Sequence, residues 1–249
     1  MKKITSIVMF CALLVFTNGF AQLTPKQMIK KMGRGINIGN VMSAPVEGNW
    51  SPAITEQYFT DVKAAGFKTV RIPMDFFGTR TTGSTSNYSS DANTSSSYTG
   101  NMSDYSVTTT YLDRVEEVVN WALSKGLIAI IDFHGSNLKT EFLHTFANDQ
   151  TEYTSPTSAK RLADLDKFKA IWTAISNRFK DKSDDLIFEI VNEPYFEVSE
   201  ADMNSINTDI INVIRGTGSN NTTRKIIITG GTKTLSLIHI SEPTRRTPI

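Results

Sequence analysis

Short, almost wholly apolar runs alternate along the middle of the chain with longer stretches whose apolar residues recur every three to four positions. The apolar runs predict strands at residues 35–40 (GINIGN), 68–74 (KTVRIPM), 127–133 (LIAIIDF), 185–191 (DLIFEIV) and 224–229. The periodic stretches predict helices over 55–65, 111–125, 158–179 and 201–215, with Gly66 and Gly126 ending the first two. Strands that lack an alternating polar face are covered on both sides, which means a parallel sheet in an α/β protein. Neither a GxGxxG after the first strand nor a GxxxxGK[ST] occurs, so the nucleotide-binding doubly wound folds have no fingerprint here.

Polar residues gather where these strands stop: Asn37 and Asn40, Arg71, His134, then Asn192 and Glu193. Strand ends converge on one face of a (β/α)8 TIM barrel, so residues far apart in sequence would share a pocket there. The expected fold is therefore that barrel, incomplete, with about the first five βα units present. Residues 79–110, rich in Ser, Thr, Asn and Gly with Tyr88, Tyr98 and Tyr105 interspersed, break the rhythm as a long loop after the second strand. Its tyrosines would either contact sugar rings or belong to a locally folded insertion.

Both ends change the composition. Met1-Lys2-Lys3, the apolar residues 4–16 and the small residues of Asn18-Gly19-Phe20-Ala21 match a secretory signal peptide over 1–21, cut before Gln22. The apolar run is too short to span a bilayer, so the expected destination is secreted or periplasmic, with no membrane attachment after cleavage. The single cysteine, Cys11, lies inside that segment, which removes disulfides, thiolate zinc sites and thiol catalysis from the mature chain. Residues 235–249 (LSLIHISEPTRRTPI) read as the in-frame translation of a sequencing-library adapter, so His239 and Glu242 receive no role. Without Lys2, Lys3, Arg245, Arg246 and Glu242 the formal charge of +1 becomes −2, which gives no support for a nucleic-acid partner. Residues 22–234 would then be a partial catalytic barrel, inactive and prone to aggregate through its unpaired sheet edges.

The strongest chemical signal is Asn192-Glu193-Pro194 at the end of an apolar strand. Pro194 stops the strand and holds Glu193 extended, and partial burial would raise its pKa towards that of a general acid. Alone, the tripeptide is equally an ordinary strand-end turn. Strand alternation puts Glu189 and Glu193 on one side and Asn192 on the other, leaving Glu189 deeper and structural. Arg71 is either a support for a reacting carboxylate or a structural ion pair; His134, with Asp132 two residues earlier, is either a site residue or a core histidine. Trp50 is a candidate for stacking on a sugar ring, whereas Trp121 and Trp172 fall within helices and suit packing. The Asx-rich stretch 87–104 lacks an EF-hand loop, and no metal is assigned.

Taken in order, GINIGN (35–40), GFKTVRIPM (66–74), LIAIIDFHG (127–135) and LIFEIVNEP (186–194) resemble glycoside hydrolase family 5, the retaining β-glycanases that include the cellulases. The resemblance covers most of residues 33–231. It implies a (β/α)8 enzyme that cleaves β-linked polysaccharides with two glutamates. Glu193 is then the acid/base, Asn192 binds the sugar 2-hydroxyl, Arg71 supports the nucleophile's carboxylate and His134 lines the cleavage subsite. Asn37, Asn40 and Trp50 are the candidate substrate-binding residues. Gly135 stands where many relatives carry a second His, and the nucleophilic Glu of a seventh strand is missing from this sequence.

The expected activity is that of a retaining endo-β-1,4-glucanase acting as a monomer, with a β-linked polysaccharide as its partner and no cofactor. A β-mannanase, a xyloglucanase or another β-glycanase would keep the mechanism and change the sugar. A carbohydrate-binding protein on a degenerate barrel would have no need of Glu193. A metal-dependent barrel hydrolase lacks a His-x-His at the first strand.

Overall fold

The computed structural model describes residues 22–76, 78–85, 88, 98–135, 158–192 and 199–230. The signal-peptide assignment (1–21), Glu193 and the adapter assignment (235–249) lie outside the described residues.

Five parallel strands form one sheet: β1 (Gly35–Asn37), β2 (Thr69–Met74), β3 (Ile128–Phe133), β4 (Leu186–Glu189) and β5 (Ile226–Ile227). Each strand lies beside the next one in sequence. A doubly wound sheet reverses its strand order at a switch point; this one winds one way throughout, as a (β/α)8 barrel does.

Period-two alternation divides the sheet. Val70, Ile72 and Met74 of β2, Ala129, Ile131 and Phe133 of β3, and Leu186 and Phe188 of β4 join the large core with the helices. These helices are α2 (Glu56–Ala64), α3 (Thr109–Ser124), α4 (Ala159–Phe179) and α5 (Glu200–Gly216). Ser158 and Ser199 cap α4 and α5 by accepting from the backbone N–H three residues on. Gly66 and Gly126 take the left-handed conformations that turn α2 and α3 into the following strands, at φ 83° and 67°.

The opposite face carries Ile128 and Ile130 of β3 and Ile187 of β4, closed at the strands' N-terminal end by Met28. Met28 belongs to α1 (Pro25–Met32), a helix the hydrophobic pattern does not predict, because it is the one residue of that helix that is buried. Local chemistry does encode α1: Thr24 and Gln27 form a capping box and Pro25 occupies the first turn. The same face then changes character towards the strand ends, where Arg71, Asp132 and Glu189 replace the isoleucines.

Three sequence boundaries move. β1 stops at Asn37, short of Asn40, which turns left-handed at φ 63°. β4 stops at Glu189, and β5 covers two residues. Within the 79–110 segment, the described residues form a local fold rather than a plain loop. Strands Thr81–Thr82 and Ser106–Val107 pair antiparallel at its root. Tyr105 is buried, Tyr98 bonds Asp166 of α4, and Lys167 of α4 reaches the Gly83 carbonyl at 2.9 Å. Burial raises the Tyr98 and Tyr105 hydroxyl pKa values above the ordinary phenol range.

Candidate active site

Arg71 organises the strand ends. It is the third residue of β2 rather than its last, and its long side chain rises along the inner face. Its guanidinium forks onto Glu189, with Nε donating to Oε2 at 2.7 Å and Nη2 to Oε1 at 2.8 Å. Nη2 also donates to Asn192 Oδ1 at 2.9 Å and lies 2.8 Å from Asp132 Oδ2, while Nη1 donates to Asn37 Oδ1 at 3.1 Å. Side chains from four consecutive strands of the sheet, or from the residues just after them, thus meet at one guanidinium. A bidentate carboxylate pair of this kind fixes both partners in direction as well as distance.

Asp132 is the second hub. Its side chain is fully buried, and among the described residues its Oδ1 has no hydrogen-bond partner. His134 donates from Nδ1 to Asp132 Oδ2 at 3.0 Å, which commits that nitrogen and leaves Nε2 for a ligand. Burial pushes the Asp132 carboxyl up to about 6; the His134 hydrogen bond and the Arg71 charge oppose the rise, and Glu189 adds to it.

The chain entering Glu193 is built irregularly. Asp132 is in register with Glu189, so a regular strand would bring the N–H of residue 191 to the Phe133 carbonyl. Asn192 makes that bond instead, at 2.8 Å, and Ile190 and Val191 are both buried. One extra residue is therefore taken up, a bulge that re-aims the side chains after it. The bulge is pinned on both carbonyls: Trp172 Nε1 donates to Ile190 at 3.2 Å and Thr229 Oγ1 to Val191 at 3.1 Å. This corrects the strict alternation expected from sequence, because Asn192 shares the Arg71 side with Glu189 instead of opposing it.

The structure thus gathers Arg71, Asn37 and Asn192 directly, and His134 through Asp132. Asn40 is exposed beyond the end of β1, and Trp50 is 51% exposed on the loop that follows. Asn37 also lines a cavity of about 330 Å³ with residues 51–55 of that loop and Tyr58. Glu193 follows Asn192 in the chain and lies outside the described residues. Trp172 is fully buried and Trp121 packs against the core, as helix residues facing inward do. The sequence assigns Glu189 a structural place and Asp132 only the position two residues before His134; period two puts both on the face that carries Arg71, which was the available signal.

Comparison with known proteins agrees with this architecture. The family model for cellulases (glycosyl hydrolase family 5) matches residues 31–247. Endoglucanase H of Acetivibrio thermocellus is 37% identical over 207 residues, covering 83% of this chain and 19% of that protein. Endoglucanase B of Clostridium cellulovorans is 32% identical over 224 residues, covering 84% and 43%. Among solved structures, a tri-modular subfamily 4 endo-β-1,4-glucanase from Bacillus licheniformis, complexed with cellotetraose, superposes with a TM-score of 0.61 at 34% identity, covering 84% of this chain and 35% of that one. A family 5 xyloglucanase from Paenibacillus pabuli gives 0.63 at 28% identity, covering 82% and 53%. The chain spans from about a fifth to about half of the length of these relatives.

Proposed function

The chain belongs to glycosyl hydrolase family 5, and from that premise we propose that it carries the acid/base half of a retaining endo-β-1,4-glucanase site. The observation that supports this most is the single guanidinium binding Asn37, Asp132, Glu189 and Asn192 at the strand ends, directly before Glu193 in the chain.

In this reading Glu193 protonates the glycosidic oxygen as a second carboxylate attacks the anomeric carbon, the two groups lying about 5–5.5 Å apart. The nucleophile belongs to a part of the enzyme outside the described residues. The negative field of that second carboxylate disfavours ionisation of Glu193, which favours its acid form before the first step. In the second step Glu193, now a carboxylate, takes a proton from water, whose oxygen displaces the enzyme carboxylate from the sugar. Asn192, fixed by Arg71 and by the bulge, is assigned the 2-hydroxyl of the ring being cleaved. His134, oriented by Asp132, is assigned a hydroxyl of the same ring through Nε2. Asn37, Asn40 and Trp50 are assigned to sugars further along the chain. Export through residues 1–21, to a secreted or periplasmic location, suits an insoluble polymeric substrate.

The endoglucanase relatives favour β-1,4-glucan. The xyloglucanase among the structural neighbours supports branched glucan as a second reading. The test is proton NMR of products released from barley β-glucan, xyloglucan and mannan by the complete enzyme. The β-anomer should appear first, on glucan before mannan; first appearance of the α-anomer would rule out the two-carboxylate displacement.

A further inference from the structure

The loop between β1 and α2 is fastened by two arginines that lie outside the Arg71 cluster. Arg80 sits at the root of the 79–110 insertion, where Thr108 donates to its carbonyl at 2.9 Å beside the small antiparallel pair. Its Nη1 donates to the carbonyls of Asp75 at 2.7 Å and Met42 at 3.3 Å, and its Nη2 to those of Ala44 at 2.6 Å and Pro45 at 3.0 Å. The guanidinium lies 4.0 Å from the ring centre of Tyr111, whose hydroxyl donates to the Met42 carbonyl at 2.8 Å. One cation thus holds the near foot of the loop through three consecutive-region carbonyls and fixes it to β2.

Arg114, one turn along α3 from Tyr111, holds the far foot. It forks onto Glu47 at 2.8 and 2.9 Å and donates to the Ile54 carbonyl at 2.8 Å, while the Ile54 N–H donates to Glu47 at 3.0 Å. The Arg114 hydrogen bond, first among several causes, holds the Glu47 carboxyl below its ordinary range, so the pair stays charged. Between these anchors the loop is mostly exposed, yet it displays Val46 and Trp50 to solvent at 59% and 51%. An exposed indole on a loop fastened at both feet is a stacking surface whose ordering cost is met on folding rather than on binding.

We propose that Arg80 and the Arg114–Glu47 pair are positioning residues that hold residues 45–53 as a preformed platform, on which Trp50 stacks a sugar ring beyond those at the Arg71 cluster. The root of the insertion thereby sets how long a glucan the site grips. The proposal rests on the glycan-cleaving reading above and adds a dependence on chain length.

Calorimetric titration of cello-oligosaccharides of two to six units into the full-length protein carrying Glu193→Gln, so that no turnover occurs, tests it. Arg80→Ala should weaken binding of the longest oligosaccharide about tenfold and of the disaccharide little. Trp50→Ala should do the same, with no further loss in the double variant, and elastase, which cuts after small residues such as Val46 and Ala53, should cut the 41–54 loop faster in Arg80→Ala. Arg114→Lys, which keeps the charge and loses the fork, should act in the same direction and guards against a folding defect in Arg80→Ala. Unchanged length dependence in both arginine variants overturns the platform, as does an equal loss at every length. If the Glu193→Gln protein binds no oligosaccharide at all, the glycan reading fails and the platform with it; if binding is normal and only the variants are silent, the clamp alone fails.

Discussion

Replacing Arg71 by Met leaves two carboxylates facing each other without their shared cation. In the folded protein the Asp132 side chain is fully buried and that of Glu189 is 15% exposed, and each lies within 2.8 Å of the guanidinium. Removing one partner of a buried ion pair costs about 3–5 kcal/mol, because the remaining charge stays desolvated. For a chain of this size that corresponds to a melting point lower by roughly 6–20 °C. The loss should depend on pH with a definite sign. The Asp132 carboxyl is already raised to about 6, and Arg71 is one of the groups holding it down. A carboxyl whose folded pKa is raised binds more protons in the native state, so stability is greatest below its unfolded pKa and falls as pH rises through the folded one. Without Arg71 the folded pKa climbs further, so the deficit against wild type should be larger at pH 8 than at pH 5. Differential scanning fluorimetry at the two values, repeated in an Asp132→Asn background, measures this. The Asn substitution should restore part of the loss at pH 8 and little at pH 5. A deficit equal at both pH values, or untouched by Asp132→Asn, would refute the buried-charge reasoning.

Arg224 is fully buried, donates to the carbonyls of Phe179, Lys182, Ser183 and Leu186 around the end of α4, and has its pKa pushed down to about 10 by that burial. Arg224→Met should destabilise by at least about 3 kcal/mol through the abandoned carbonyls; Arg224→Lys should rescue little, since one ammonium cannot span them, and near-wild-type melting of either variant would contradict the capping role. Trp172→Phe removes the donor to the Ile190 carbonyl and should cost about 1–3 kcal/mol. It should also speed hydrogen exchange at the Asn192 amide, and unchanged exchange there would show that the bulge does not depend on the indole.

The barrel was legible because its strands are short, apolar on both faces and separated by amphipathic helices; among the described residues, each strand of the five-stranded sheet and each α-helix after α1 falls where the periodicity puts it. α1 was not legible because a helix with one buried residue has no stripe, although Thr24-Pro25 and Gln27 carried its start in plain view. The site was legible as separate strand-end residues and not as a cluster. Nothing local marks the bulge at 190–192: it arises where β4 must satisfy Trp172, Thr229 and Phe133 together, contacts spread over about a hundred residues of chain. Arg80 and Arg114 escaped for the same reason: Arg114 has a local partner in Glu117, but Glu47 and the carbonyls of Met42, Ala44, Pro45 and Ile54 are brought to the two arginines only by the closure of the β1–α2 loop.

The most direct measurement of the central claim is the rate of Glu193→Gln in the complete enzyme on two substrates. One is a glucan, whose leaving alcohol must be protonated; the other is a 2,4-dinitrophenyl cellobioside, whose leaving group departs without a proton. Loss of a general acid removes a factor of about 10²–10⁴, so glucan hydrolysis should fall by that order while formation of the glycosyl-enzyme from the dinitrophenyl substrate, followed as a burst, stays near wild type. An equal fall on both substrates would take the proton-donor role away from Glu193.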